Sequence, residues 1–405
     1  MTHSTKGGAR DRAPAGLVVV LTLAMALPML VLFATGALGS LLVADLGFGL
    51  AELGALPATA FAVAAVLSLW SGRIVDRVGT RSAGAVLFGL VAASFTAMAL
   101  AGGLGLLLVA VAACGIAQAL ANPVTNRMIA EWVPTRARGA VVGIKQSGVP
   151  LAALVAGTAL PPVAAVWGWQ GAFAFVPPIA LACLVATLRL PRAARAPGAR
   201  GGRVLPTAPG RALAWLLALQ LCIGAGLAAV TTFVPLYAHD ALGASEAHGA
   251  LVLAGFGVSG VVSRVLWTSL AGRRADALGL QVLLSLLAAV AAGTLWVSSA
   301  VPAGGIALAW IGAVGIGATA VAANAVSMLT VINDRRFGQV GHASALASSG
   351  FFAGFVVSPP LAGLLADTTG FGGTWALVTG VFLLAIGCAT ALRRHGRAPV
   401  GAPTA

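Results

Sequence analysis

The chain has 405 residues, 59% of them hydrophobic and only 8% charged, with a formal net charge of +14. A soluble domain carries about 25% charged residues, and surface area grows too fast with size for a water-soluble fold to hide this much apolar side chain. Lipid must therefore be the solvent for most of the chain, and the arrangement of the positive charge, described below, excludes nucleic acid as its partner.

Apolar runs of about the 20 residues that a bilayer requires occupy 16–43, 53–71, 82–100, 104–131, 139–163 and 172–190. A stretch rich in Arg, Pro and Gly follows at 189–211, and six more runs lie at 212–237, 248–271, 280–299, 305–331, 340–363 and 373–392. This divides the chain into a first bundle at 1–190, a basic linker at 191–211 and a second bundle at 212–405. The runs are predicted to be helices, because only helices or closed barrels satisfy the backbone in lipid and barrel strands would alternate over ten-residue segments. The expected fold class is all-α integral membrane, with twelve transmembrane helices in two six-helix pseudo-repeat bundles. Pro28, Pro123, Pro150 and Pro235 lie inside runs and predict kinks. The first run is too long for a signal-peptide core and is read as a retained helix. Cys114, Cys183, Cys222 and Cys388 lie inside runs with no metal or disulfide spacing, so no cofactor or metal is expected.

All but three of the 24 basic residues fall in every second gap between runs, from Lys6, Arg10 and Arg12 to Arg393, Arg394 and Arg397. The alternate gaps hold Asp45, Glu52, Asp240, Glu246 and Asp367 and no Lys or Arg. This is the positive-inside pattern. It predicts that both termini and the 189–211 stretch are cytoplasmic. The halves also repeat. Gly72, Asp76 and Gly79 recur as Gly272, Asp276 and Gly279; Asn122, Val124 and Thr125 recur as Asn324, Val326 and Ser327; Gly168 and Gly171 recur as Gly370 and Gly373. A near-constant offset over several elements indicates a duplicated six-helix unit, which places a substrate site between the halves.

The gap after the second run reads Gly72-Arg73-Ile74-Val75-Asp76-Arg77-Val78-Gly79-Thr80-Arg81. This resembles the G-x-x-x-D-R/K-x-G-R/K-R/K loop of the major facilitator superfamily, with Thr80 as the one departure. The stretch from Glu131 to Pro150 and the run Gly168–Phe173 are similar to bacterial members, and the resemblance covers essentially the whole chain. It implies a twelve-helix bacterial inner-membrane transporter rather than an enzyme. By the family's pattern, Gly72, Asp76, Arg77, Gly79 and Arg81, with Glu131, Arg127 and the later Asp276, form the gating motif. The alternative for these charges is that they only fix topology and loop shape. Two departures weaken a drug-exporter reading: Val111 stands where proton-driven drug exporters carry an Arg, and the fifth run reads Gly148-Val149-Pro150-Leu151-Ala152-Ala153 instead of their glycine signature.

Arg127, Lys145 and Arg264 are the three basic residues inside runs, and no acid lies in the middle of any run. Arg127 shares a helical face with Glu131 and is assigned to the gate. Lys145 shares its face with Gly148, Ala152 and Ala156, and Arg264 with Gly257, Gly260 and Thr268. Small faces pack on another helix or line a cavity, so each cation either contacts a ligand or has a structural role. Their counterparts in the other half are Ala347 and Ala64, so the duplicated architecture does not require either charge. Many organic-anion members of the family carry an Arg in the eighth helix, which Arg264 resembles, although Thr268 replaces the expected glycine. Gln118, Asn122, Asn324 and Tyr237 are further candidates for substrate contact, with interhelical hydrogen bonding as their alternative.

The reading is alternating-access transport of a small-molecule substrate, organic or inorganic and anionic, by a monomer in the lipid bilayer. Efflux of a drug or hydrophobic solute is the alternative. If Lys145 and Arg264 both point inward, two cations face each other across the cavity, the empty site resists closure, and a bridging anion permits it. Lys145 is also the expected proton carrier if transport is proton-linked, because no carboxylate sits at membrane depth.

Overall fold

The computed structural model describes residues 16–134, 137–190, 210–273, 276–301, 304–333, 337 and 340–395. The expected tails, and the linker apart from Gly210 and Arg211, lie outside them. Fourteen helices are present among the described residues: α1 Leu17–Ala37, α2 Gly39–Leu46, α3 Leu50–Val78, α4 Thr80–Ala99, α5 Leu104–Trp132, α6 Arg138–Gln146, α7 Gly148–Ala174, α8 Val176–Arg189, α9 Arg211–Asp240, α10 Glu246–Arg273, α11 Ala277–Ser298, α12 Gly305–Asn333, α13 Val340–Thr369 and α14 Phe371–His395.

Among the described residues, eleven stretches are long and apolar enough to cross a membrane, one of them the 49 residues Val141–Arg189. At 1.5 Å per residue that stretch would be about 74 Å long, roughly twice what a bilayer core needs. Gly168 breaks it, with φ 68° and ψ 175°, a conformation essentially open only to glycine. The stretch therefore crosses twice, which gives the twelve crossings expected. Gly370, the repeat partner of Gly168, also holds a positive φ of 75°. The repeated glycine thus marks the same reversal in each half.

Two boundaries differ from the sequence reading. The gap at 72–81 is not a loop: α3 runs through it to Val78, and Gly79 alone, at φ 89° and ψ 152°, separates α3 from α4. Polar residues at a helix end that faces water look like a loop in a hydropathy reading. The fifth crossing is divided at Ser147 into α6 and α7, with Ser147 itself keeping right-handed helical angles of φ −68° and ψ −14°.

Helices α1–α8 form the first bundle and α9–α14 the second, joined mainly by α3 on α13, α7 on α10 and α1 on α9. One end of the molecule carries Arg73, Arg77, Arg138, Arg393 and Arg394, and is termed the basic end. The opposite end carries Asp45, Glu52, Asp240 and Asp367, and is termed the acidic end. In this conformer the bundles approach closely at the acidic end, where Gly36 meets the Thr231 carbonyl and Gly363 meets the Leu50 carbonyl. Phe61 of α3 packs against Phe355 of α13, with ring centroids 4.3 Å apart and the rings tilted by 40°. Towards the basic end of α3, nothing lies within 4 Å of the position a Cβ on Gly72 would take.

Candidate functional site

The cluster that joins the two bundles nearer the basic end begins with a proline. In an α-helix the N–H of residue 150 would bond the carbonyl of residue 146. Pro150 has no N–H, so the Gln146 carbonyl, at the end of α6, is left without its helical partner. Leu151 still donates to Ser147, at 3.0 Å, so only one rung is missing. Arg264 of α10 crosses from the other bundle and donates from Nη1 to that carbonyl at 2.8 Å. Gly257 and Gly260 let α10 approach here: a Cβ on Gly260 would lie 3.3 Å from the Pro150 Cβ. Pro150 thus presents a main-chain acceptor to the opposite bundle.

Lys145, one residue earlier, is 0% exposed. Its Nζ donates to Thr125 Oγ1 at 2.8 Å and to Asn126 Oδ1 at 2.5 Å, both on α5. The Thr125 hydroxyl donates its own proton to the Ala121 carbonyl at 2.6 Å, which leaves its lone pairs for the ammonium. Gln146 Nε2 reaches Asn122 Oδ1 at 3.4 Å, the weakest link of the cluster. Asn122 and Asn126 are exposed. Asn122 lies roughly 140–160° around α5 from the exposed Leu106 and Val109, taking ~100° per residue, so it is exposed on the opposite side of α5, the side that meets Gln146.

The cations do not meet as expected from sequence. Lys145 turns into its own bundle, and Arg264 reaches across to a neutral carbonyl. Neither cation has a carboxylate partner among the described residues. Asp45 accepts from the Trp169 indole at 2.8 Å, Asp240 pairs with His239 at 2.6 Å, Asp276 pairs with Arg393 at 2.5 Å, and Asp367 caps α3. Arg264 Nε is buried without a partner, and a guanidinium presents its donors as a planar fork suited to carboxylates.

Gln118 lies one turn deeper than Asn122, and its Oε1 is buried without a partner, as is the Ser327 hydroxyl. Ser327 is the repeat counterpart of Thr125, and Ala347 stands where a second Lys145 would be, so that hydroxyl has no ammonium to accept from. Asn324 is half-buried. Tyr237 sits in the core of the second bundle, 1% exposed, bonded to Ser298 at 2.7 Å and packed on Phe371 and Trp375. In this conformer it is a packing residue. The sequence reading did not name Gln146, Thr125 or Asn126 as site residues. Asn126 is legible as the third member of a polar stripe with Gln118 and Asn122 at i, i+4 spacing, and Gln146 from its place four residues before a proline.

Residues expected from the family resemblance to form the gate make a separate network at the basic end. Arg127 pairs with Asp76 and, through Nε, with Glu131 at 2.9 Å; Thr80 donates to Glu131 at 2.8 Å. Arg138 donates to the carbonyls of Ala130 at 2.9 Å and Val133 at 3.0 Å at the end of α5. Asp76, Arg127, Glu131 and Thr80 all belong to the first bundle and tie α3, α4 and α5 together. Arg77 lies in the last turn of α3 and Arg81 in the first turn of α4. Asp276, the repeat partner of Asp76, instead caps α11 by accepting from the Gly279 N–H at 2.7 Å.

Residues 15–336 match the family model of the Major Facilitator Superfamily. The chain belongs to this superfamily. Solved structures with the same fold include a D-xylose–proton symporter, at TM-score 0.77 and 20% identity over 92% of this chain and 96% of that one. The nucleoside transporter NupG matches at TM-score 0.74 and 14% identity, covering 93% of this chain and 99% of that one. An inward-facing, occupied bacterial homologue of the human lysosomal transporter Spinster matches at TM-score 0.69 and 15% identity, covering 93% and 96%. No curated protein matches the chain. The protein is thus a multi-pass membrane transporter of small solutes.

The missing N–H of Pro150 carries its own prediction. Pro150→Ala restores an N–H that competes with Arg264 for the Gln146 carbonyl. The affinity for the transported solute is expected to change several-fold in Pro150→Ala while expression and melting temperature stay near wild type. An unchanged affinity would show that the carbonyl does not position Arg264 for the solute.

Proposed function

We propose that this transporter carries a small anion by alternating access, with Arg264 as the contact residue and Lys145 as a fixed positive charge beside it. The observation that supports this most is the absence of any carboxylate partner for either cation among the described residues, together with the unpartnered Nε of Arg264. Burying a charge without a counter-ion is costly, and a bound anion would offset that cost each time the site is filled. A planar oxyanion such as a carboxylate suits the guanidinium fork best. Gln118, Asn122 and Asn324 would supply neutral hydrogen bonds to the rest of the solute. The test is counterflow in proteoliposomes with labelled small carboxylates, inorganic anions and neutral sugars. Anion counterflow with no sugar counterflow supports the reading; sugar counterflow alone refutes it.

The alternation of basic and acidic gaps supports a basic end in the cytoplasm of a bacterial cell, with the chain in the inner membrane, both termini inside and the 191–211 linker exposed there. Cysteine labelling from outside intact cells is expected to miss Arg200→Cys. Strong external labelling at that position would invert the arrangement.

A further inference from the structure

At the acidic end, the first turn of α3 has no cap from its own bundle. Gly49 at the N-cap position has no side chain, and no side-chain capping bond is made. The cap comes from the other bundle. Asp367, near the end of α13, accepts from the Leu50 N–H at 3.2 Å through Oδ1 and from the Ala51 N–H at 3.0 Å through Oδ2. A carboxylate at a helix N-terminus is favoured by both the free N–H groups and the helix dipole. The helices are set for this contact, since Gly363 abuts the Leu50 carbonyl and Gly54 the Pro359 carbonyl, each too close for a Cβ. The aromatic contact of Phe61 with Phe355 lies next to it, towards the middle of the molecule.

Because α3 belongs to one bundle and α13 to the other, any cycle that opens this end must pull Asp367 off α3. We propose that Asp367 is the acidic-end gate residue of the transport cycle: its carboxylate latches the N-terminus of α3 and holds the protein in the conformer closed at this end. The proposal needs only that the protein is an alternating-access transporter, and is independent of the charge of the solute. Asp367 is not in the repeated gate motif, and its role arises from the meeting of two helix ends that are far apart in sequence.

The test uses two reporter cysteines on α3, in full-length protein with the four native cysteines replaced. Ala58→Cys reports the acidic half, where Ala58 is 7% exposed. Ser68→Cys reports the basic half, on the same helix face as Phe61 within about 20°. Each is alkylated with a water-soluble thiol reagent in purified protein. Asp367→Asn is expected to raise the rate at position 58 and lower it at position 68, changing their ratio roughly tenfold, as for the loss of a charge-assisted contact. Asp367→Glu, which keeps the charge, is expected to fall between. Thr368→Ala, which removes an exposed hydroxyl bonded only within its own helix at 2.8 Å, is the control and should match wild type. An unchanged ratio in Asp367→Asn, or a parallel rise at both positions that signals loosened packing, would overturn the proposal.

Discussion

Arg264→Gln is expected to reduce anion transport on the order of 100-fold. The estimate rests on losing two charge-assisted hydrogen bonds, together about 3 kcal/mol, with each tenfold change worth about 1.4 kcal/mol. The protein should still fold, because glutamine can donate to the Gln146 carbonyl and Ala64, the repeat counterpart of Arg264, shows that the architecture accepts a neutral residue. Arg264→Lys separates charge from shape. Lysine keeps the charge but presents no planar fork, so affinity should fall by about tenfold while some transport persists. Lys145→Ala is expected to weaken transport less than Arg264→Gln. Its ammonium already has two neutral partners and acts on the solute through its field. The fold should survive, since the Thr125 hydroxyl keeps the Ala121 carbonyl and the exposed Asn126 can turn to water. Uptake into proteoliposomes, normalised to inserted protein, checks all three. Equal rates in wild type and Arg264→Gln would remove Arg264 from the site.

Asp76→Asn carries the second large expected effect, a loss of transport of at least tenfold in a protein that is inserted and folded. Asp76 is 59% exposed on its side chain, where an isolated ion pair contributes little to stability. Its removal should therefore leave the melting temperature nearly unchanged. The expected damage lies in the cycle. Arg127 holds Asp76 and Glu131 together and so fixes the end of α3 against α5, and loss of one charge shifts the balance between conformers without removing a ligand. Binding affinity for the solute should change by less than about threefold while the transport rate collapses. A variant that binds less well in proportion to its lost rate would place Asp76 in the solute site instead of the gate.

Much of the architecture could be read directly from the chain, because lipid imposes so few solutions. Run lengths and charge alternation fixed the number of crossings, and the repeated Gly168 and Gly370 marked matching reversals. What escaped was the detail that depends on three dimensions. Residues 72–78 were read as a loop, although a helix end carrying Arg73, Asp76 and Arg77 has the same composition. Pro150 was read as a kink, and the freed carbonyl four residues earlier went unused. The small-residue face of Lys145 left helix packing and a cavity lining as alternatives, and periodicity on one helix cannot say which bundle its side chain meets. Asp367 served only as a marker of topology, since nothing local in the sequence shows that the end of α13 meets the start of α3.

The claim that Lys145 and Arg264, neither with a carboxylate partner among the described residues, serve an anionic solute is tested most directly by ligand-induced thermal stabilisation of the purified protein. Small carboxylates and inorganic anions are titrated alongside neutral sugars and apolar drugs, in wild type and in Arg264→Gln. The account predicts a concentration-dependent rise in melting temperature with at least one small anion, which vanishes in Arg264→Gln, and no rise with the neutral compounds. Stabilisation by a sugar or an apolar drug alone, or by an anion equally in wild type and Arg264→Gln, would contradict it.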